Sequence, residues 1–523
     1  MNQQQGKVHK PTDEQAAVIS AAAGKQSMMI RAYAGCAKTS TLVMAAQKIR
    51  VPALALAFNR TIALELGDKF PGNFQTKTLN GLGHSAWVRQ LPDGTKVQLD
   101  DRKQGKLVTQ AAKAAGLELV GDQWDAARRL MGEAMQAGLS PGDQGAPLVP
   151  DTPATWASLA AGLMIGEDEI EGLVQVARQA LIQSIELARA GVISFDDQIY
   201  CPTILGGKWP QFPVLFVDEA QDLSPLNHRM LGLALRPDGR LVAVGDPKQA
   251  IYAFRGADSR SMDNLEGLRP EWVALPLATT FRCPKIVVER AQKHAPGFRA
   301  WYANREGSFH RLQRQGVALK GWTFADLRAL RPDGQLAILC RNNGPLLAMA
   351  LKLLRAGIGV RMLGRDIGKV LIGLTKKIMP SDDLPVDKCT GLLMEWEERE
   401  SALALANKHP EKLAGISDRA DCLRAVMENA AVGDARQLRE MLDRLFSRTD
   451  GLVTLGSIHR SKGLEFDLVL HLDPWRVPSR YARQLADAGD LTALEQEWNL
   501  RYVCETRTKD VLVEAALADY EGA

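Results

Sequence analysis

Residues 28–42 read MMIRAYAGCAKTSTL: an apolar run, a loop of small residues, then a lysine followed by hydroxyl side chains. This is the order of a phosphate-binding loop after a β-strand, G-x-x-x-x-G-K-[ST]. In that loop backbone amides cradle phosphate oxygens, the lysine reaches the β- and γ-phosphates, and the next hydroxyl holds Mg²⁺. Lys38 and Thr39 fit those two roles, with Ala34, Gly35, Cys36, Ala37 and Ser40 completing the expected ATP cradle. The segment TLVMAAQKI supplies a helix whose N-terminus favours anions. Both glycines of the pattern are replaced, by Ala32 and Ala37. An alanine at 37 suits the loop if its φ is negative and is strained if its φ is positive.

Two further runs end in the same way. FPVLFVDEAQD places Asp218 and Glu219 at the end of an apolar strand, one carboxylate for Mg²⁺ and the next for an attacking water. Paired carboxylates of this kind are costly without a cation. RLVAVGDPKQ ends at Gln249, placed to sense a γ-phosphate or orient water. After it, Tyr252 and Phe254 flank Arg255, a cluster suited to stacking bases and contacting phosphate.

Apolar strands alternating with helices predict an α/β fold with parallel sheets covered on both faces, and ligands at the strands' carboxyl ends. The segments TSTLVMAAQKI and SPLNHRMLGLAL supply helices for a first unit. A second unit is predicted from GQLAILCRNN, the helical PLLAMALKLLRAGI, GVRML and LVTLGSIHRSKGLEFDLVLHLD. Two helix-rich stretches of 3.6-residue periodicity, 89–191 and 371–451, interrupt these units and read as packing rather than chemistry.

The composition fits that reading. A chain of 523 residues exceeds one core, and one domain per ~150 residues gives about three or four. The 46% hydrophobic and 24% charged residues are ordinary for a soluble globular protein, and the net charge of +4 permits local nucleic-acid patches without demanding them. Seven scattered cysteines without a C-x-x-C pair argue against a disulfide framework or cysteine zinc site, so a reducing cytoplasm is expected. The polar start MNQQQGKVHKPTDEQ does not read as a signal peptide, and no uncharged apolar run reaches the ~18–20 residues that span a bilayer.

With these residues assembled, the chain resembles the superfamily 1A DNA helicases of the UvrD/Rep type, with motifs in family order over nearly its whole length. PTDEQAAVI is similar to the family's adenine-reading segment, with Gln15 as the base contact. ALAFNRTIA resembles the first DNA-contacting motif, which implies that Phe58, Asn59 and Arg60 meet single-stranded DNA. TKTLNGLGHSAW adds Thr78, with Asn80 where the family usually has histidine. LATTFRCP is similar to the motif in which Phe281 would stack on adenine and Arg282 would reach the γ-phosphate. GSIHRSKGLEFD implies DNA contacts from Ser457 and His459 and a nucleotide contact from Glu465; YVCETR implies a second arginine finger, Arg507. Such a finger is worth ~10³–10⁵ in rate in related phosphoryl transfer.

The resemblance implies two RecA-like parallel-sheet P-loop domains, each with a mainly helical insertion. The expected division is 1–88 with 192–275, insertion 89–191, then 276–370 with 452–523, and insertion 371–451. It also implies an ATP- and Mg²⁺-dependent motor on single-stranded DNA and DNA junctions, moving 3′ to 5′ by analogy with the K-G-L-E-F form, with repair and recombination among the open pathways. The second insertion is short, closer to the F-box DNA helicase branch, which makes translocation better supported than unwinding. Few residues follow the last motif, so a fused nuclease is not expected. The alternative is a nucleotide-switched single-strand-binding ATPase with little unwinding.

Overall fold

The structure is a computed structural model that describes residues 10–57, 59–119, 123–161, 169–251, 260–312, 321–406, 412–448, 450–489 and 491–522. Two six-stranded sheets, all of whose strand pairs are parallel, organise the chain. The first holds β1 (Ser27–Ala32), β2 (Ala53–Ala57), β3 (Phe74–Thr78), β4 (Phe212–Val217), β5 (Leu235–Gly245) and β6 (Trp272–Leu277), in the order β3-β2-β4-β5-β1-β6. The second holds β7 (Ser308–Leu312), β8 (Leu336–Cys340), β9 (Val360–Met362), β10 (Val453–Ser457), β11 (Phe466–Leu472) and β12 (Thr508–Ala515), in the order β7-β12-β11-β8-β10-β9. Parallel sheets need cover on both faces, and the central strands β2 and β8 are accordingly buried at every residue. The fold is the expected one, consistent with two RecA-like domains.

Helices feed the strand ends that matter. The helix α1 (Asp13–Ala21) starts at Thr12 with a capping box closed by Gln15, and α2 (Lys38–Ala46) follows the β1 loop. Between β3 and β4 the chain leaves the sheet to build a helical body with its own core, from Trp87, Leu130, Trp156 and Leu181. Between β9 and β10 it builds a second body of helices Arg365–Ile378, Val386–Ala406, Leu413–Asn429 and Ala435–Ser447, which shares one continuous core with the second sheet through Leu371, Trp396 and Leu442. The helix Arg365–Ile378 runs across position 370 and packs on Ala435–Ser447, so it goes whole with that second body.

A further core cluster unites the two sheets. It joins Met28, Ile30 and Val242 of the first to Ala337, Val469 and Leu512 of the second, with Leu500 and Tyr502 from the helix Thr492–Thr506. The carboxyl ends of β1, β4 and β5 and the end of that helix are thereby held together.

Candidate nucleotide and nucleic-acid site

The β1–α2 loop has the form of an anion cradle, and its two special positions behave differently. Gly35 has φ 69°, and a Cβ there would lie 2.6 Å from Arg282 Cβ and from Thr280 Oγ1. Only glycine fits this close approach. The loop is also tied to that segment by the backbone, as the Phe281 N–H donates to the Gly35 carbonyl at 3.0 Å. Ala37 has φ 54° and ψ 41°, the left-handed conformation, so the strained branch of the expectation holds.

Lys38 Nζ lies 3.1 Å from Glu219 Oε2. Asp218 is buried, and its Oδ1 accepts from the Glu219 N–H at 2.9 Å. Burial and the neighbouring Glu219 push the Asp218 carboxyl up to about 6. Burial works in the same direction on Glu219, but Lys38 and the Gln221 amide outweigh it and hold that carboxyl down at about 2. Glu219 itself has φ 52°, which aims its side chain back toward α2 rather than along the strand.

Across the cleft stand two arginines. Arg282 pairs with Glu465 at 2.5 Å. Arg507 caps the helix Thr492–Thr506, is 2% exposed, and donates to the Val503 and Leu464 carbonyls at 3.2 and 3.3 Å. Its nearest approach to Gln249 is a long 3.5 Å contact to Oε1, and among the described residues it has no carboxylate partner. Burial, then the Arg282 charge, lower its affinity for its proton. Gln249 is buried and donates to Asp246 Oδ2 at 2.6 Å.

These groups line one open cleft of about 1930 Å³ that includes Gly35, Lys38, Glu219, Gln249, Arg282 and Arg507. The cleft continues past Asn59 and Asn80 to Arg128 and Arg129 of the first helical body and Arg365 and Lys369 of the second. Residues 198–268 match the family model described as the UvrD/REP helicase N-terminal domain, and residues 401–516 match that of the UvrD-like helicase C-terminal domain. Each of these two matched segments is thus similar to a UvrD/REP-type helicase domain. It is 24% identical to F-box DNA helicase 1 of Gallus gallus over 521 residues, covering 93% of this chain and 47% of that protein. It is 25% identical to the ATP-dependent DNA helicase UvrD2 of Mycobacterium tuberculosis (strain ATCC 25618 / H37Rv) over 324 residues, 56% of this chain and 46% of that protein. It is 29% identical to the RecBCD enzyme subunit RecB of Mycolicibacterium smegmatis over 212 residues, 38% of this chain and 18% of the relative. The chain spans about half the length of the first of these relatives.

The remaining expected residues of the chain are placed as follows. Thr39 and Ser40 form the first turn of α2, and the cysteine Cys36 is buried, as is Ala34. Phe281 is 40% exposed with its ring 5.3 Å from Trp301. Gln15 is largely occupied, accepting from the Thr12 N–H and donating to Thr41 Oγ1 at 3.1 Å each. Asn59 caps the helix Arg60–Lys69, whose first residue Arg60 is exposed, and Thr78 caps Leu79–Val88. Ser457 ends β10, and His459 lies in the 3₁₀ turn that follows. Phe58, Tyr252, Phe254 and Arg255 lie outside the described residues.

Three neighbours escaped the sequence reading. Gln221 donates to Glu219 Oε2 at 2.6 Å and accepts from the Asp246 N–H at 3.0 Å, joining the ends of β4 and β5. Lys462 crosses between the sheets, with Nζ 2.7 Å from both Asp222 oxygens and from the Gln249 carbonyl. Tyr502 reaches the β1 loop. Their signal was present in DEAQD, SKGLEF and RYVCETR, but a polar residue within a motif does not declare which strand end it faces. No helix of the described residues is long and apolar enough to cross a membrane.

Proposed function

We propose that this chain is an ATP-dependent DNA helicase or translocase of the UvrD/PcrA type, moving 3′ to 5′ on single-stranded DNA and coupling ATP hydrolysis to strand separation or protein displacement. The observation that carries this reading is Arg507, a buried guanidinium with no paired carboxylate among the described residues, lining the same cleft as Lys38 and Glu219. A buried cation without a counter-charge is costly, and a triphosphate between the two sheets would relieve that cost. In this reading Lys38 exchanges Glu219 for the β- and γ-phosphates when ATP enters. Glu219 then orients the attacking water with Gln249, while Arg282 and Arg507 stabilise charge on the transferred phosphoryl group.

Asp218 and Thr39 are suited to a divalent cation arriving with the nucleotide, since Asp218 is buried and, among the described residues, its carboxylate accepts a hydrogen bond only from its own neighbour's amide. When bound, such a cation would neutralise negative charge on the nucleotide's phosphates. Among the described residues no cluster of three or more His, Cys, Asp or Glu side chains is arranged to hold a metal unaided, which leaves the remaining ligands to phosphate and water. Gln15 and Phe281 would bind the base and Glu465 the nucleotide, with Glu465 then leaving Arg282 free to turn toward phosphate. DNA would cross the top of both sheets over Asn59, Arg60, Thr78, Ser457 and His459, together with Phe58, Tyr252, Phe254 and Arg255. The division at 1–88/192–275, 89–191, 276–370/452–523 and 371–451 belongs to the same proposal, with the helix Arg365–Ile378 assigned to the second insertion. The left-handed Ala37 favours a second reading, an ATP-switched single-strand binder with little unwinding.

Steady-state ATPase with and without single-stranded DNA, over a salt series, tests the proposal. Stimulation that fades with salt is expected, because phosphate contacts release counterions. Lys38→Ala should abolish turnover. An ATPase indifferent to DNA would overturn the motor reading, and a strand-displacement assay beside it separates the motor from the switch.

A further inference from the structure

The helix Thr492–Thr506 does more than carry Arg507 at its end. Tyr502 on this helix is fully buried, and its ring packs against Tyr33 of the β1 loop and Phe298 at 6.4 and 5.8 Å between centroids. Its hydroxyl accepts from the Ala34 N–H at 2.8 Å and donates to Asp246 Oδ2 at 3.2 Å. Asp246 Oδ2 also accepts from Gln249 Nε2, and Oδ1 accepts from the Lys248 N–H at 3.0 Å. The Asp246 N–H donates to Gln221, which donates to Glu219, which pairs with Lys38. The connections therefore run from the phosphate loop through Tyr502 and back to the phosphate loop. Asn499, on the same helical face, donates to the Pro247 and Ala250 carbonyls at 3.4 Å each, so the helix docks on the 246–250 turn at more than one point.

We propose that the Tyr502 hydroxyl is a positioning group for ATP hydrolysis, holding the Gln249 turn and the phosphate loop in register with Arg507 so that all three meet the γ-phosphate together. This rests on the ATPase reading above and adds to it a residue that touches neither nucleotide nor DNA. The hydroxyl shares the one Asp246 oxygen that fixes the Gln249 amide, and that amide presents Oε1 to Arg507. Without the O–H, Asp246 can turn and Gln249 with it, while the ring still fills its pocket. Burial pushes the phenol's pKa well above its usual value, so the group stays a neutral donor at working pH.

The test is Tyr502→Phe in the full chain, assayed for ATPase with saturating single-stranded DNA, alone and combined with Gln249→Ala. The expected result is a kcat lower by about ten- to a hundredfold, the cost of misplacing catalytic groups without losing them. The KM for ATP and the affinity for DNA should move less than about threefold. In the Gln249→Ala background Tyr502→Phe should add little, because it acts through Gln249. Asp246→Asn approaches the same bond from the other side and should reproduce the kcat defect if Tyr502→Phe proves poorly folded. Wild-type kcat in Tyr502→Phe, or full multiplicative loss in the double variant, overturns the proposal alone. A wild-type chain that hydrolyses no ATP overturns the ATPase reading and this proposal with it.

Discussion

Ala37 carries a methyl group at φ 54°, where L-residues other than glycine are disfavoured by about 1 kcal/mol or more. Its carbonyl still accepts from the Thr41 N–H and Oγ1, at 3.0 and 2.9 Å, so the first turn of α2 is properly closed. The strain sits in the loop and not in the helix. Ala37→Gly should therefore stabilise the loop by about 1 kcal/mol and leave ATP turnover equal or faster, measured as kcat and KM beside thermal unfolding. A collapse of ATPase in that variant would show that the methyl packs usefully against something in the working state. The sequence revealed the departure at 37 but not the sign of φ, because an alanine in a loop of small residues is compatible with either.

Elements with a strong apolar signal were legible: β1, β4, β5, β8, β10 and β11 lie where buried β-rich runs ended in polar residues. The edge strands β3, β6 and β7 were not, whereas the edge strand β9 lies in the predicted GVRML. β3 reads FQTKT, with every residue at least partly accessible, and an edge strand need not be apolar. β2 is LAL flanked by alanines, a composition that favours helix, and is a strand only because β3 and β4 pair with it on both sides. Buried polar wiring was equally hidden. Glu514 of β12 pairs with Arg290, Arg311 and Arg501, and Glu505 pairs with Arg290 and Arg501, so Arg501 and Glu505 tie the last turns of the helix that Arg507 caps into one ionic network. His471 of β11 is buried in that group, and among the described residues neither ring nitrogen has a hydrogen-bond partner. Burial, then the Arg501 charge, lower its pKa to about 3, with Arg290 adding to this and Glu514 opposing it. The unfolded chain takes up a proton near pH 6.5 and the folded one does not, so stability falls as pH drops from about 6.5 toward 3. His471→Leu should remove that term: a higher unfolding midpoint in urea than wild type at pH 5, and a smaller difference at pH 8. An equal difference at both pH values would show that His471 does not titrate on unfolding.

At the scale of the molecule, the two sheets are held together around the cleft by contacts of unequal kind. The Tyr502, Leu500 and Val469 packing is apolar and always favourable. The bridge from Lys462 to Asp222 is ionic, with side chains only 10% and 8% exposed, and Lys462 also holds the Gln249 carbonyl. Burial raises the Asp222 pKa and Lys462 opposes that rise, so the bridge offsets a desolvation cost that Asp222 would otherwise bear alone. It connects the β10–β11 turn of the second sheet to the acidic turn after β4 of the first. Removing one partner of a buried pair leaves the other uncompensated, at a cost of about 3 kcal/mol or more when burial is complete. Lys462→Met keeps the stem's volume and deletes the charge. The variant should loosen the arrangement of the two sheets without ligand, seen as a larger radius of gyration in small-angle scattering. It should also weaken DNA-stimulated ATPase more than basal ATPase, because Gln249 loses the contact that relates it to the second sheet. A non-hydrolysable ATP analogue should restore much of the compaction, since Arg282 and Arg507 then have phosphate to close upon. Unchanged dimensions with an unchanged ratio of stimulated to basal rate would mean that the apolar packing alone sets how the sheets meet, and that Lys462 serves only to neutralise Asp222.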